Sequence, residues 1–416
     1  MSTLVPKFII SIALSILFLV ILYNKNKILK YTNYQENLAL TIAIIILRVL
    51  PVFLIFFYFD FDATSDVKMF HTWANTAKQG YFVYRDFPAP YAPLFSYITA
   101  LPLFFYNHQN SILALMVLIE IIILVFSFRY FSKIYGKSTS LFNSFLYLSL
   151  PFSFIMAVIS GQEDVWMWGI IIAVLIIYQK NKDSFWVGII LGIGMITTKV
   201  LFVLSLPIAF ILLKNKWRYI VGLGLIGLPT LAILIYYGGD TFLLPIQEAN
   251  NPRSPNIWSI INPFIKVYDG IGIKNLNYIG LISNLIIGLI LSIKANNLKI
   301  PFEKAFPMIW LISNLWLMFI QQSSLAHYSF IYLIPLIFYF DNFKNKQIAI
   351  ATLSFSFACA MQPPVWWGQK TPVFKDLNDI LKPMNLLEYC LEIFIIGGII
   401  YFCVIVLQSI FYSKYK

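Results

Sequence analysis

The sequence predicts an all-α fold: a polytopic transmembrane helical bundle of about 11–14 membrane helices in a single domain, residues 1–416. Of the 416 residues, 60% are hydrophobic and only 12% are charged, and the mean hydropathy is +0.78. A soluble domain needs more polar residues to cover its surface. A helix that crosses a hydrocarbon core of ~30 Å needs ~20 mostly apolar residues, and such runs follow one another along this chain.

Short basic loops between the apolar runs set the direction of the spans. Lys and Arg concentrate at 25–30, 180–182, 214–218, 294–299, 344–346 and 414–416, which the positive-inside rule places in the cytoplasm beside anionic lipid head groups. The spans that this predicts are 8–23, 38–59, 141–160, 165–179, 185–198, 200–213, 219–237, 276–293, 306–320, 328–340, 348–361 and 389–411. The first run lacks the small-residue cleavage site of a signal peptide, so we assign it as a membrane helix.

The region 92–137 departs from this alternation. The basic segment 129–137 belongs in the cytoplasm, yet two apolar runs, 94–106 and 112–131, separate it from the preceding polar loop. The first of these runs is short and contains Pro102. We predict that it is a re-entrant or interfacial piece, which is permitted where protein buries it. The alternative is that the basic segment lies outside.

Composition excludes several functions. The formal charge of +12 suggests a nucleic-acid partner, but the basic residues are distributed over membrane loops, so we predict none. The cysteines, Cys359, Cys390 and Cys403, lack the spacing of a metal site or a disulfide framework.

Five polar stretches are expected on one face of the membrane: 60–94, 161–164, 238–275, 321–327 and 362–388. The first is the longest polar interval in the first half of the chain and contains four aspartates, Asp60, Asp62, Asp66 and Asp86. Ionisable groups at the mouth of a membrane-embedded body are costly and usually mark a substrate or ion site. We therefore predict that 60–94 is the first external, catalytic loop and that 238–275 and 362–388 are further external loops.

The first loop carries residues at a defined spacing. An acid is followed one turn later by an aromatic residue, then by a glycine, a tyrosine and a Tyr-x-Pro-Leu, namely Asp66, Phe70, Gly80, Tyr84 and Tyr91-Ala92-Pro93-Leu94. This pattern resembles the catalytic loop of GT-C glycosyltransferases, polytopic enzymes that use a polyprenyl-phosphate-linked sugar as donor. The closest likeness is to the first mannosyltransferase of GPI-anchor assembly and to bacterial polyprenol-phosphate-mannose-dependent mannosyltransferases. The family often has Asp-x-Asp, whereas position 64 is Thr here.

Three later segments are also similar to GT-C enzymes, in the same order along most of the chain. Ser160-Gly161-Gln162-Glu163-Asp164 resembles a Gly-Gln-x-Asp that opens a helix, Lys199 a helical lysine, and His327-Tyr328 a His-Tyr near the last helices. The resemblance implies a GT-C type bundle with an interfacial catalytic loop after the second helix. It favours mannose as the transferred hexose.

An inverting transfer needs a base that takes the proton of the acceptor hydroxyl while the lipid phosphate leaves. A partly buried carboxylate suits this role because burial raises its pKa. Asp66 is the first choice and Asp62 the second; the alternative is that these acids only solvate a loop. A divalent cation, Mg²⁺ or Mn²⁺, would take oxygen ligands, for which Asp66 and Asp164 are the candidates.

The remaining candidates bind substrate. Gln162, Glu163 and Asp164 are assigned to the acceptor, with capping of the following helix as the alternative. Lys199 and Arg253 are assigned to the donor phosphate, because cations hold a leaving phosphate. His327 is assigned to the phosphate or the acceptor, with a hydrogen-bonded histidine at the membrane interface as the alternative. For Lys199, the alternative is an ammonium group that reaches the membrane interface. Tyr84, Tyr91 and Tyr328 complete the set.

The sequence thus predicts an integral membrane hexosyltransferase that acts on the extracytoplasmic face, with a lipid-linked or polysaccharide acceptor of the cell envelope. A transporter or flippase of a lipid-linked saccharide is an alternative, but it predicts charges at the midplane of paired repeats. An O-antigen-type polymerase or ligase is another, but it requires an arginine-rich external loop, and 238–275 contains only Arg253. The bias towards Ile, Lys, Asn and Phe indicates an AT-rich genome, which favours a bacterial inner membrane over the endoplasmic reticulum.

Overall fold

The computed structural model describes residues 4–30, 33–244, 249–339, 346–368 and 373–411. Lys344, Lys414 and Lys416 of the predicted cytoplasmic segments, and parts of the loops 238–275 and 362–388, lie outside these residues. The protein is 81% helical. The described residues contain no β-strand, only an isolated bridge between Val83 and Phe87. The all-α prediction is therefore confirmed.

The helices follow the apolar runs of the sequence. In chain order they are α1 (Leu4–Tyr23), α2 (Gln35–Tyr58), α3 (Val67–Lys78), α4 (Phe95–Phe104), α5 (Gln109–Tyr135), α6 (Lys137–Ser149), α7 (Pro151–Ile159), α8 (Trp166–Asn181), α9 (Ser184–Thr197), α10 (Val200–Leu212), α11 (Lys216–Gly238), α12 (Ile257–Ile265), α13 (Ile273–Asn297), α14 (Phe302–Ile320), α15 (Leu333–Tyr339), α16 (Lys346–Trp366) and α17 (Pro383–Phe411). Short helical turns connect several of them.

Fewer full-length spans are present than the sequence predicts. Within the described ranges, seven helices are long and apolar enough to cross a membrane: α1, α2, α5, α11, α13, α16 and α17. The α6–α7 pair makes an eighth if it counts as one span. Several other apolar runs form shorter helices: α8 and α9 have 16 and 14 residues, below the ~20 that a straight crossing needs. The multi-pass architecture is confirmed, and the estimate of about 11–14 spans counted these shorter helices as full crossings.

The predicted span 141–160 is broken at its proline. The axes of α6 and α7 differ by 69°, and Leu150 has an extended backbone (φ −66°, ψ 129°). Steric contact with the following proline ring disfavours helical geometry at that residue. In a continuous helix, the amide of Phe152 would donate to the carbonyl of Leu148. Here Phe152 N donates to Ser356 Oγ at 3.0 Å instead, so it leaves the Leu148 carbonyl without this helical hydrogen bond.

The Leu148 carbonyl accepts a hydrogen bond from an arginine in the middle of α2. Arg48 Nη1 donates to Leu148 O at 3.3 Å, and Nη2 donates to Ser153 Oγ at 3.0 Å. Arg48 Nε lies 3.1 Å from both carboxylate oxygens of Glu120, near the middle of α5. Both residues are fully buried. This ion pair joins α2, α5 and the α6–α7 break, and the helix around Arg48 is widened to π geometry at Ile45–Val49.

The short run after the first loop forms a helix too short for a full crossing, and its re-entrant or interfacial placement stays a prediction. α4 spans only Phe95–Phe104, and Lys78 Nζ at the end of α3 donates to Leu103 O at 2.7 Å. α5 is then long and apolar enough for one full crossing. At its far end, Ser138 Oγ donates to Glu36 Oε1 at 2.5 Å, so the basic segment 129–137 lies at the same end of the bundle as the start of α2.

Glycines allow close packing where two helices touch through their backbones. A Cβ atom at Gly188 of α9 would lie 2.3 Å from Tyr219 O of α11, and one at Gly222 would lie 2.2 Å from Phe185 O. Small residues at such crossings are the usual means of helix association in membranes. The pair α9–α11 carries Lys199, which follows α9, towards the first loop.

Contacts join the five polar stretches at one end of the bundle, opposite Glu36. Gln162 Nε2 lies 3.4 Å from Asp66 Oδ2, Thr241 Oγ1 is 2.5 Å from Tyr84 O, Arg253 N is 3.0 Å from Gln322 O, and Gln362 Nε2 is 3.2 Å from Ser254 Oγ. The predicted loop 362–388 is shorter in the structure, because α16 continues through Pro363 and Pro364 and α17 begins at Pro383.

Candidate functional site

The side chain of Asp66 is free to face the interior of the bundle. The residue directly precedes α3, and its carbonyl accepts the amide of Phe70 at 2.9 Å, but its carboxylate makes no capping bond to that helix. The carboxylate instead lies near Gln162 Nε2, at 3.4 Å, and Ser65 Oγ is 3.2 Å from the same amide nitrogen. Asp66 thus lies beside the Gln162 turn, and its role as the base stays a prediction.

A tight turn brings Gln162, Glu163 and Asp164 to Asp66. Gly161 has φ +56°, a conformation that side chains disfavour, and a Cβ atom there would lie 2.7 Å from Val67 Cγ2. Only glycine fits this approach between the turn and the start of α3. Glu163 and Asp164 are almost completely buried. Their backbone carbonyls accept the amides of Trp166 and Met167, but their side chains do not cap α8.

Two backbone bonds hold the end of the first loop against the end of α9. Ala92 N donates to Thr198 O at 3.2 Å, and Leu94 N donates to Ile196 O at 2.9 Å. This pairing places Lys199, the next residue, beside the first loop, with its ammonium nitrogen 5.7 Å from the ring centre of Tyr91.

Lys199 forms the centre of a buried ionic cluster. Its Nζ lies 2.5 Å from Asp164 Oδ1 and 3.0 Å from Glu163 Oε1, and the three side chains are 14%, 0% and 1% exposed. The ring centre of Tyr328 is 4.6 Å from the same nitrogen. The hydrogen-bonding capacity of the cluster is not fully used: Glu163 Oε2, Asp164 Oδ2 and Gln162 Oε1 are buried and have no hydrogen-bond partner in the part of the chain that the structure describes.

The electrostatics of the cluster favour a proton acceptor at Asp66. Burial, and then the charge of Glu163, raise the pKa of the Asp66 carboxyl, while Gln162, Lys199 and Arg253 act in the opposite direction. Burial raises the pKa of Asp164 to about 7, although Lys199 opposes it. Burial alone would lower the pKa of Lys199, but the two carboxylates outweigh it and raise that pKa. Lys199 therefore stays protonated at neutral pH.

Arg253 and His327 form the other side of the site. The charge of Arg253 acts on both Asp66 and His327, and a hydrogen bond from Arg253 N to Gln322 O at 3.0 Å joins the two segments. Burial, then Lys199 and Arg253, lower the pKa of His327 well below its usual value, so its ring is neutral at pH 7. Within the described residues, the guanidinium group of Arg253 has neither an ion pair nor a hydrogen bond.

The three tyrosines assigned to substrate differ in position. Tyr91 packs against Phe95, with ring centres 4.5 Å apart, and faces Lys199. Tyr328 lies over Lys199 and contacts the ring of His327 edge-on, with centres 4.7 Å apart. Tyr84 is buried, and its hydroxyl donates to the carbonyl of Tyr91. Tyr84 therefore supports the loop that carries Tyr91.

Asp62 does not join the cluster. Its side chain is 69% exposed, accepts a bond from Gln109 Nε2 at 2.7 Å and lies 3.8 Å from Lys68 Nζ. Asp62 lies in the exposed loop before the turn at Ser65 (φ +60°) that leads into α3. Of the two aspartates predicted as bases, the structure brings only Asp66 to the acidic turn.

The predicted metal ligands do not form a complete site by themselves. Asp164 Oδ1 is occupied by Lys199, whose ammonium supplies the positive charge that a cation would bring. In the part of the chain that the structure describes, no group of three or more His, Cys, Asp or Glu side chains has metal-binding geometry. Divalent cations usually take more oxygen ligands than these two carboxylates supply. A divalent cation stays a prediction, to be tested with a chelator.

Sequence reasoning missed two sets of buried charges. Arg48 is the lone charge of the predicted span 38–59, and Glu120 lies within the apolar run 112–131; these positions were the available signal, since such residues pair inside membranes. Glu388 and Glu392 are both buried at the start of α17, and their spacing of four residues places them on one helical face.

Comparisons of the chain with protein-family models, with curated proteins and with solved structures found no match. The function therefore has to be inferred from the residues and their geometry.

Proposed function

We propose that this protein is an integral membrane glycosyltransferase that moves a hexose from a polyprenyl-phosphate sugar to a hydroxyl acceptor at the extracytoplasmic face. The observation that carries the proposal is the Asp66 carboxylate, which is partly buried, does not cap its helix, lies beside a buried acidic turn and is within reach of the charge of Arg253. Mannose is the favoured sugar by resemblance alone. The lipid-linked or polysaccharide acceptor belongs to the envelope of a bacterial cell.

In the proposed reaction, the acceptor hydroxyl oxygen attacks the anomeric carbon of the donor. The bond between that carbon and the phosphate oxygen breaks, and its electron pair leaves with the polyprenyl phosphate. Asp66 takes the hydroxyl proton, so charge and atoms balance and the anomeric configuration inverts. Burial supports this role because it raises the pKa of Asp66 towards the working pH.

The charges of the site suggest separate roles for its two cations. Lys199 is already neutralised by Glu163 and Asp164 at 3.0 and 2.5 Å, so a phosphate there would meet two carboxylates. Arg253 has no such partner among the described residues, and a guanidinium group suits bidentate contact with phosphate. We therefore assign the donor phosphate to Arg253, with the neutral His327 beside it, and assign Lys199 to holding the acidic turn.

The unpartnered oxygens of Gln162, Glu163 and Asp164 support an acceptor that donates hydrogen bonds. Buried acceptor atoms without partners are costly, and sugar hydroxyls are donors that would satisfy them. Tyr91 and Tyr328 offer ring faces beside the same cluster.

One observation favours the transporter as a second candidate. The ion pair of Arg48 and Glu120 lies near the middle of two spans, where transporters carry charges. Among the described residues, however, neither Arg48 nor Glu120 has a buried side-chain polar atom without a hydrogen-bond partner, which suits a structural contact rather than a transport site.

The test is transfer by the purified protein, reconstituted in liposomes with a panel of radiolabelled polyprenyl-phosphate sugars and a lipid extract of its host. The Asp66→Asn variant keeps the shape of the side chain but removes the base, so we expect it to be inactive. The Asp62→Asn variant is the control for the same change at a nearby exposed acid. Label transfer by wild type and by Asp62→Asn, but not by Asp66→Asn, supports the proposal and identifies the sugar. Transport of the labelled lipid across the bilayer without transfer would replace it with the flippase.

A chelator arm decides the metal question in the same assay. Transfer that persists in EDTA shows that the residues of the cluster work without a divalent cation. Loss of transfer, restored by Mg²⁺ or Mn²⁺, would place a cation at Asp66 and Asp164.

A further inference from the structure

Glu388 lies at the start of α17 and is hydrogen-bonded to the segment that carries Arg253. Its Oε1 accepts bonds from Ser254 Oγ at 3.0 Å and from Gln362 Nε2 at 2.8 Å, and Gln362 Nε2 is also 3.2 Å from Ser254 Oγ. All three side chains are buried, with exposures of 1%, 0% and 1% for Glu388, Ser254 and Gln362. Ser254 directly follows Arg253, the residue assigned to the phosphate.

The next turn of α17 repeats the contact. Glu392 Oε2 accepts from Ser259 Oγ at 2.6 Å, and Ser259 belongs to the capping box that begins α12. Asn256, the cap residue of that box, donates through Nδ2 to Arg253 O at 2.7 Å. Two glutamates, four residues apart, therefore anchor both ends of the short segment that follows Arg253.

The residues that lead to His327 hold the other side of the Arg253–Asn256 segment. Gln322 O accepts from Arg253 N at 3.0 Å and from Asn256 Nδ2 at 3.2 Å. Arg253 is thus attached on one side to the His327 segment and on the other to α16 and α17. None of these contacts involves its guanidinium group, which is left for a ligand.

We propose that Glu388, together with Gln362, is a positioning residue that holds the Ser254–Asn256 turn so that the Arg253 guanidinium faces the donor phosphate. The donor phosphate in this inference rests on the proposed function, whereas the contacts of Glu388 with Ser254 and Gln362 are observed in the structure. Glu388 acts through Ser254 and touches no reacting atom. A carboxylate or an amide oxygen at this place serves equally, because the contact needs only an acceptor for the serine hydroxyl and the glutamine amide.

The test compares Glu388→Leu, which removes the acceptor, with Glu388→Gln, which keeps one. Donor KM and kcat are measured for each in the wild-type and Arg253→Ala backgrounds. We expect Glu388→Leu to raise the donor KM about 10-fold in the wild-type background, and less than about 2-fold when Arg253 is already absent, because the two residues act as a unit. We expect Glu388→Gln to restore the KM to within about 3-fold of wild type.

Glu36→Leu is the matched control. Glu36 is also buried and bonded to a serine, Ser138, at 2.5 Å, but it lies at the opposite end of the bundle. It should leave the donor KM unchanged. Equal losses from Glu388→Leu with and without Arg253, or a Glu388→Gln variant as defective as Glu388→Leu, would overturn the positioning role.

Hydrogen–deuterium exchange separates this inference from the proposed function. We expect peptides covering 249–260 to exchange faster in Glu388→Leu than in wild type, since the Arg253 N to Gln322 O bond loses its support. Peptides of α5 should be unchanged, which excludes general unfolding. Faster exchange in a protein that transfers no sugar would uphold the positioning contact and reject the glycosyltransferase. Transfer that depends on Arg253, with exchange and KM both insensitive to Glu388, would reject the positioning role alone.

Discussion

Two buried ionic clusters lie in the same bundle and differ in how fully their polar atoms are satisfied. In the Arg48–Glu120 cluster, the guanidinium group contacts both carboxylate oxygens, two carbonyls and a serine hydroxyl. In the Lys199 cluster, one ammonium group forms ion pairs with two carboxylates. Glu163 Oε2 and Asp164 Oδ2 have no hydrogen-bond partner among the described residues. A satisfied cluster specifies packing, whereas an unsatisfied one has capacity for a ligand.

The surroundings of the two clusters strengthen this difference. Arg48 and Glu120 sit within long helices, and the broken α6–α7 pair supplies the carbonyl and the hydroxyl that complete the arginine's bonds. The Lys199 cluster is built from chain between helices: the turn at Gly161, the residue after α9 and the loop that ends at Leu94. Binding and catalytic residues are concentrated on such connections, held by a rigid scaffold.

Arg48→Met should have the largest effect on stability. It leaves the Glu120 carboxylate buried and unpaired, which costs about 3–5 kcal/mol in known ion pairs. We expect a large fall in the unfolding temperature in detergent, and recovery of most of it in the Arg48→Met/Glu120→Leu double variant. A single variant as stable as wild type would show that this pair does not support the bundle.

Lys199→Met should lower transfer about 10-fold or more at neutral pH. Lys199 lowers the pKa of Asp66, so its loss raises that pKa, reduces the ionised base and moves the acid limb of the pH–rate profile upward. The donor KM should stay within about 3-fold of wild type. A raised donor KM with an unchanged pH profile would instead make Lys199 the phosphate ligand.

Gln162→Met should move the acid limb of the pH–rate profile in the same direction. The amide of Gln162 hydrogen-bonds Asp66 and lowers its pKa, so without it the carboxyl releases its proton at a higher pH. Since the base is needed ionised, transfer should fall at low pH and approach the wild-type rate at high pH. A profile with its acid limb moved downward would contradict the assignment of Asp66.

Asp62→Asn should have the smallest effect, within about 3-fold of the wild-type rate, because exposed ion pairs contribute little. The carboxylate of Asp62 is 69% exposed and its ion pair with Lys68 is long, at 3.8 Å. A loss comparable to that of Asp66→Asn, measured in the same transfer assay, would bring Asp62 back as the accompanying acid.

The sequence was sufficient for the class of fold because apolar runs and basic loops are local features. It also predicted that polar stretches far apart in the chain share one end, as the contacts between Gln162 and Asp66 and between Gln362 and Ser254 confirm. Pro151, within the predicted span 141–160, carried a signal for the break that the prediction did not use.

Partners across the fold could not be read in the same way. Lys199 was assigned to phosphate because it is isolated among apolar residues, but residues 35 and 36 positions earlier supply its carboxylates. Asp62 and Asp66 are equivalent in composition, and only the turn at Ser65 and the start of α3 separate an exposed acid from a buried one. Glu388 acts through Ser254, 134 residues away, a contact without any local pattern.

One paired measurement tests the central claim most directly: transfer rate and unfolding temperature of Asp66→Asn and Glu120→Gln, both carboxylate-to-amide changes of nearly equal shape. We predict that Asp66→Asn loses about 10²-fold or more of the transfer rate and keeps the wild-type unfolding temperature. Glu120→Gln should show the reverse, with a lower unfolding temperature and a normal rate per folded molecule. Transfer that survives in Asp66→Asn and is abolished in folded Glu120→Gln would place the chemistry at the ion pair within the membrane and contradict the account.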